Sequence, residues 1–305
     1  MYASERIEAA LERALTLTTT SNEVPQGRHV SDGPSSRLEC PPKLAAALRY
    51  SLFPGGGRFR PRLCLAVAMS CGEDHPDCTD AAAAAIEILH CASLVHDDLP
   101  CFDNAATRRG KASVHRAFGE RIAVLSGDAL IVLAFQVAAR GAIAVPERLP
   151  ALLGIVADSV GAPGGIAAGQ AWECESTVSL AAYQQSKTGA LFAAATMAGA
   201  AATGADPAPW RAVGLGLGEA YQVADDLHDA VDSEADIGKP VRVDAALGRP
   251  SAAIELGIDG AVLRLNRLLA LAAEAIPACH GADSLRALIA AEASRLLPKK
   301  LRLAA

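Results

Sequence analysis

The sequence predicts an all-α protein, and three observations carry that prediction. Apolar residues recur with helical spacing from one end of the chain to the other. No stretch shows the strict apolar–polar alternation of a half-buried strand. Aromatics make up only 4% of the chain against 51% hydrophobic residues, so the interior must be built mostly of Ala, Leu, Val and Ile. Abundant alanine favours helices that approach one another closely.

The elements follow in order. "MYASERIEAALERAL" reads as an ordinary amphipathic helix, since its three acidic and two basic residues exclude a targeting segment. A polar, Pro/Gly/Ser-rich linker, expected to be mobile, covers 17–41. A helix then runs through "KLAAALRYSLF" and breaks at "PGGGRFRPRL". Further helices are read at "PRLCLAVAMSC", "DAAAAAIEILHCASLVHDDL", "RIAVLSGDALIVLAFQVAAR", "RLPALLGIVADSV" and the "GIAAGQAWECE" region. "LAAYQQSKTGALFAAATMAGAA", "WRAVGLGLGEAYQVADDLHDAV" and the C-terminal third complete the set. The uncharged run at 189–205 is mostly Ala and Gly and falls short of the roughly 20 strongly apolar residues of a membrane span. It reads as a close-packed interior helix, and no transmembrane segment is expected. No repeat or heptad stands out, which leaves one all-α domain over 1–305.

Charge and cysteines narrow the function. A net charge of -6 at pH 7 argues against a nucleic-acid surface and against docking on anionic lipid. The eight cysteines form no C-x-x-C pair, so zinc and thioredoxin-like chemistry are not expected. They read as reduced, mostly buried thiols of a cytoplasmic protein.

"HDDLPCFDNAATRRG", from position 96, ends an apolar helix in three carboxylates: Asp97, Asp98 and Asp103. "YQVADDLHD" repeats the theme with Asp225, Asp226 and Asp229, which share a helix stripe with Gln222. A lone D-D-x-x-D is usually a solvated face, but two such clusters after apolar helical runs are harder to explain that way. Hard oxygens without nearby thiols or imidazoles suit Mg²⁺ or Mn²⁺. Mg²⁺ takes one or two carboxylates and fills its shell with water and phosphate oxygens, so a metal–diphosphate is the expected ligand. Arg108 and Arg109 supply forked donors for phosphate. His90 lies about 10.5 Å before Asp97 on the same helix face, where a second anion could bind. Arg58 and Arg60 add charge after the Gly-rich break, which is not a P-loop because it lacks the G-K-[ST] ending.

Together these residues resemble the trans-isoprenyl diphosphate synthases, and most closely the bacterial geranylgeranyl diphosphate synthases of carotenoid and bacteriochlorophyll pathways. The likeness spans roughly 43–255 and rests on "DDLPCFD", "DDLHD", "RRG", "SKTG", "FRP", "ILHCASL" and "YQVADD" in order. It implies the isoprenoid synthase fold: a single large antiparallel helical bundle around a deep central cavity, in a homodimer. It further implies that Asp97, Asp103 and Asp225 hold three Mg²⁺ ions on an allylic diphosphate (dimethylallyl, geranyl or farnesyl). Asp98, Asp226 and Asp229 would ligate or support. Arg108, Lys187 and Lys239 would hold the same diphosphate, and His90, Arg60 and Arg109 would bind isopentenyl diphosphate. Thr188 and Gln222, with Lys187, would line the path of the developing allylic cation.

Two positions depart from the family pattern. Gly57 stands where a lysine usually binds isopentenyl diphosphate, and Arg58, Arg60 or another cation is expected to compensate. Asn104 and Ala105 replace common acidic residues, but the three key aspartates remain. Ser93 and Ala92, both small, sit where bulky aromatics would stop growth at fifteen carbons, so twenty carbons is the expected product. The alternatives are a farnesyl diphosphate synthase, a class I terpene cyclase, whose second motif normally differs, or a non-catalytic subunit, which would tend to lack aspartates.

Overall fold

The computed structural model describes residues 2–19, 39–53, 55–177, 180–231 and 251–302. Its helices are α1 (Tyr2–Thr19), α2 (Pro42–Leu52), α3 (Phe59–Ser70), α4 (Pro76–Asp97), α5 (Val114–Phe118), α6 (Glu120–Gly141) and α7 (Leu149–Val160). They continue as α8 (Ile166–Ala171), α9 (Leu180–Gln184), α10 (Ala190–Ala201), α11 (Trp210–Val231), α12 (Ala252–Glu274), α13 (Ala282–Leu296) and α14 (Lys299–Arg302). The expected all-α bundle is the observed one.

Small residues decide how the helices meet. α10 lies at the centre, packed on α3, α4, α7 and α11. Its small alanine side chains, and the lack of one at Gly199, let neighbouring backbones come close. A Cβ on Gly199 would lie 2.4 Å from the Cys64 carbonyl oxygen of α3, and one on Gly214 of α11 would lie 2.4 Å from Ala193 Cα. α4 packs most extensively on α6. There Gly127 makes room for His96 and Gly141 for Ala81; added Cβ atoms would lie 2.0 Å and 2.2 Å from them. Phe192, at the centre of the core, is fully buried.

Several expectations need correction. Residues 17–19 of the expected 17–41 linker are helical, because α1 runs to Thr19, and residues 20–38 lie outside the described residues. A short antiparallel hairpin does exist: β1 (Thr107–Arg108) pairs with β2 (Lys111–Ala112) around Arg109 and Gly110. Both loop residues have positive φ, 53° and 76°, as a two-residue primed turn requires. Two-residue strands are too short for alternation to register in the sequence. The helix read through "LAAYQQSKTG" is interrupted by a π-helical turn at Gln185–Gly189, and the one in "GIAAGQAWECE" gives way to a 3₁₀ turn at Trp172–Cys174. Finally, only Cys64, Cys78 and Cys91 are buried; Cys101 and Cys174 are exposed, and Cys40, Cys71 and Cys279 are half-buried.

By length and composition, α4 and α6 could each cross a membrane, but 78% of the most apolar window of α4 is buried inside the protein. The corresponding window of α6 is 44% buried, which leaves Val124, Leu125 and Val132 exposed.

Candidate active site

The first acidic cluster forms because α4 ends there. Pro76 starts the helix with a preset φ, and Asp98 is its C-cap. Asp97 and Asp98 therefore sit at the negative end of the helix dipole, which disfavours them by about 0.3–1 kcal/mol each where exposed. Both are also buried, at 8% and 2% exposure. Burial pushes both carboxyls above the usual carboxylate range, and nearby Asp103 adds to the effect. The Asp103 N–H donates to the Asp97 carbonyl at 2.9 Å, which folds the third carboxylate back over the helix end.

Cations and amides answer this charge. Arg108, presented by β1, donates through Nε and Nη2 to Asp98 at 3.0 and 2.5 Å. Gln170, on α8, donates to Asp97 Oδ1 at 2.9 Å. The Lys187 ammonium lies 3.8 Å from the same oxygen and 2.5 Å from Glu173 Oε1. Burial works against that ammonium, but Asp97, Tyr183 and Glu173 outweigh it and its pKa is raised. The Tyr183 hydroxyl also donates to Glu173, at 2.7 Å.

Lys187 and Thr188 are adjacent in the π-helical turn, and this joins the two acidic clusters. Thr188 Oγ1 donates to Gln222 Oε1 at 3.1 Å, and Gln222 Nε2 donates to Asp226 Oδ1 at 3.1 Å. Consecutive Cα atoms are about 3.8 Å apart, so one turn reaches the end of α4 with one residue and α11 with the next. Asp226 is buried and also accepts from the Ala252 N–H at 2.8 Å, fixing the start of α12. Asp225 and Asp229 lie on the more accessible side of α11.

A second cationic group lies further along α4. Arg109 Nη2 donates to His90 Nε2 at 3.4 Å, and its Nη1 donates to the Gly55 carbonyl. Since a guanidinium can only donate, His90 must be neutral here and carry its proton on Nδ1. Burial, then Arg60, Arg109 and other arginines, hold its pKa well below the ordinary histidine value. The Arg60 guanidinium stacks over Phe192 at 4.5 Å and Tyr221 at 5.5 Å, and its buried Nε has no hydrogen-bond partner. No carboxylate lies within ion-pair distance of Arg60, His90 or Arg109 among the described residues. This arrangement suits an anion supplied from outside.

Arg58 does not compensate for Gly57. Its guanidinium is buried and bonded to Glu87 at 2.7 Å, Glu8 at 2.9 Å and the Leu52 carbonyl at 2.7 Å. The cation at the glycine loop is Arg109, which lies against Gly56, where a Cβ would come 2.6 Å from its Cζ.

The remaining expected residues are quickly placed. Ser93 is half-buried, its hydroxyl bonded to the His90 carbonyl at 2.8 Å, while Ala92 is buried in the core. Lys239 lies outside the described residues. Sequence reading missed Gln170, Glu173 and Tyr183. The polar "GQAWECE" stretch after an apolar helix was the available signal for the first two. Gln170, however, meets Asp97 from 73 positions away, and Glu173 meets Lys187 and Tyr183 only once the chain has folded back. Among the described residues no three His, Cys, Asp or Glu side chains close on one point. A bare ion therefore has no ready cage, whereas Mg²⁺ arriving with a diphosphate needs only one or two carboxylates. The hard-oxygen donors and the raised carboxyl pKa values, which a divalent cation would relieve, fit that second case.

Comparison with known proteins agrees with this geometry. The polyprenyl synthetase family profile matches residues 41–274. The chain is 46% identical over 301 residues to a geranylgeranyl diphosphate synthase of Cereibacter sphaeroides, covering 99% of both chains. It is 47% identical to a Rhodobacter capsulatus protein of the same description, covering 97% of each. A farnesyl diphosphate synthase of Geobacillus stearothermophilus is 38% identical, covering 75% of this chain and 80% of its own. Among solved structures, an FPP/GFPP synthase from Zymomonas mobilis superposes with a TM-score of 0.72 at 30% identity, covering 94% of this chain and 97% of that one. A geranyltransferase from Helicobacter pylori, complexed with magnesium and isoprenyl diphosphate, gives 0.72 at 27% identity, covering 94% and 95%. With both acidic clusters inside the matched span and relatives aligned along nearly the whole chain, the protein belongs to the polyprenyl synthetase family.

Proposed function

We propose that this protein is a geranylgeranyl diphosphate synthase that extends allylic diphosphates with isopentenyl diphosphate. One observation carries the reading: a single turn ties Lys187 to Asp97 and Thr188 to the Gln222–Asp226 pair, beside a cation group that has no carboxylate within ion-pair distance among the described residues. Two anionic substrates need two such places, and a cyclase would need only one.

Asp97 and Asp103 on one side, with Asp225 and Asp229 on the other, would hold Mg²⁺ with the allylic diphosphate; the Helicobacter pylori neighbour's complex supports this choice of metal. When bound, Mg²⁺ neutralises diphosphate oxygens and so makes the group a better leaving group. Arg108 and Lys187 add fixed positive charge to the same diphosphate, and Lys239 joins them in this reading. Asp98 and Asp226 act as positioning residues: the first holds Arg108, and the second holds Gln222 and the start of α12. The allylic C–O bond breaks, and its electron pair leaves with the diphosphate. Thr188 and Gln222 face the resulting cation with oxygen dipoles. Arg60, His90 and Arg109 hold isopentenyl diphosphate so that its double bond attacks the cation, a C–C bond forms and a proton is lost. Packed helices exclude the water that would quench the cation to an alcohol.

Two observations favour twenty carbons over fifteen: the relatives at 46 and 47% identity are geranylgeranyl diphosphate synthases, and Ser93 is small. The exposed apolar face of α6 supports a homodimer. Cytoplasmic placement and a single domain over 1–305 complete the reading. The test is incubation of purified protein with Mg²⁺, isopentenyl diphosphate and farnesyl diphosphate. A twenty-carbon diphosphate is expected, and a cyclic hydrocarbon or no product overturns the proposal.

A further inference from the structure

Two half-buried cysteines meet on the side of α3 away from the substrates. Cys71 caps the C-terminus of α3, its N–H bonded to the Val67 carbonyl at 2.9 Å. Cys279 lies in the turn between α12 and α13, three residues before Ala282. The two segments are in main-chain contact. The Gly281 N–H donates to the Ser70 carbonyl at 3.0 Å, and a Cβ on Gly281 would come within 2.6 Å of Ser70 Cα. Glycine at 281 is what permits this approach. It places the Cys279 side chain beside that of Cys71, where the one thiol acts on the other. Both are half-buried, so a small reagent has a route to them.

We propose that Cys71 and Cys279 form a reversible disulfide by exchange with a small-molecule disulfide of the oxidised-glutathione class. One protein thiolate attacks a sulfur of the reagent, forming a mixed disulfide and expelling one reagent thiolate. The second protein thiolate attacks the protein sulfur of that mixed disulfide, forming the Cys71–Cys279 bond and expelling the other. Two protein thiols are oxidised, one reagent disulfide is reduced to two thiols, and the two protein protons end on the expelled thiolates. The Cys71 thiol, pushed up to about 11 by burial and by the neighbouring Cys279 thiol, is mostly protonated at neutral pH. The exchange should therefore quicken as the solution is made alkaline.

The bridge would join the α12–α13 turn to α3, closing a long loop and restricting the unfolded chain. It sits at the opposite end of α3 from Arg60, about 16 Å along the axis. Stability should change, and synthase activity should not.

The test treats full-length protein with oxidised glutathione under mildly alkaline conditions, blocks remaining thiols and maps the peptides by mass. Three results are expected: a cross-linked peptide carrying Cys71 and Cys279, a mass lower by two hydrogens, and a Tm higher by about 4 °C or more that dithiothreitol reverses. Cys71→Ser and Cys279→Ser should each abolish the peptide and the Tm rise while matching the reduced wild type in activity. Glutathione left attached at either position, a bridge to exposed Cys101 or Cys174, or unchanged thiols in the wild type would each overturn the proposal. Because the wild-type peptide map decides the matter alone, a variant that misfolds does not obscure it.

Discussion

Gly57 shows how one residue's deficit is met by another far away in sequence. Its own Cβ direction is open, with nothing within 4 Å, while Arg109 covers neighbouring Gly56. If Arg109 already supplies the charge, Gly57→Lys should leave the KM for isopentenyl diphosphate nearly unchanged. A drop of about tenfold, or about 1.4 kcal/mol, would mean that the gap was never filled. His90 gives a pH prediction. Its pKa is depressed in the folded protein, so as pH falls below about 6.5 the unfolded chain takes up a proton that the folded one does not. The neutral folded form is thus penalised progressively on acidification, and His90→Gln, which cannot protonate, should lose less Tm between neutral and mildly acidic pH than wild type. Equal losses would show that His90 is protonated with ease in the folded state. Ser93, one turn before Asp97, tests product length: Ser93→Phe should shift the main product from twenty to fifteen carbons by chromatography of the dephosphorylated alcohols. An unchanged product would place the floor elsewhere.

At the scale of elements, glycine and alanine spacing sets how close the helices lie. α10 touches four other helices because nothing large projects from most of its surface. Gly199→Ala would push a Cβ into the Cys64 carbonyl, 2.4 Å away, and backbone cannot yield as a side chain does. The expected loss is about 1–3 kcal/mol, read as a lower Tm with the helical circular dichroism retained. An unchanged Tm would mean that α3 and α10 can separate without loss. The π-helical turn is the other informative element. It is placed where one helix must serve two clusters, and helices with such turns recur at functional sites.

For the whole molecule, α6 is one of the described helices that the fold leaves half covered, as α12 is through Leu263 and Ile254. Its inner face packs on α4, and its outer face exposes Val132 at 57% and Leu125 at 51%. A protein contact would cover exposed apolar residues of this kind. In the proposed homodimer, Val132→Glu would bury an unpaired charge, so a shift from dimer to monomer is expected by light scattering after size-exclusion chromatography. A variant that remains dimeric would move the subunit contact to another face.

The sequence by itself determined the fold class, the positions of most long helices and both acidic clusters. Those follow from local periodicity and from carboxylates too closely spaced to be indifferent neighbours. It did not reveal the hairpin, whose strands are two residues long, or the π-helical turn, whose residues read as plain helix. Only the tertiary structure decided which cation faces which anion. Arg58 and Arg109 are equally plausible in one dimension, yet Arg58 is buried against Glu87 and Glu8 while Arg109 lies over the glycine loop beside His90. Gln170 and Asp97, likewise, are 73 positions apart and become partners only when α8 folds onto the end of α4. Periodicity is a property of neighbours along the chain, whereas charge pairing depends on distance in space, which packing alone sets.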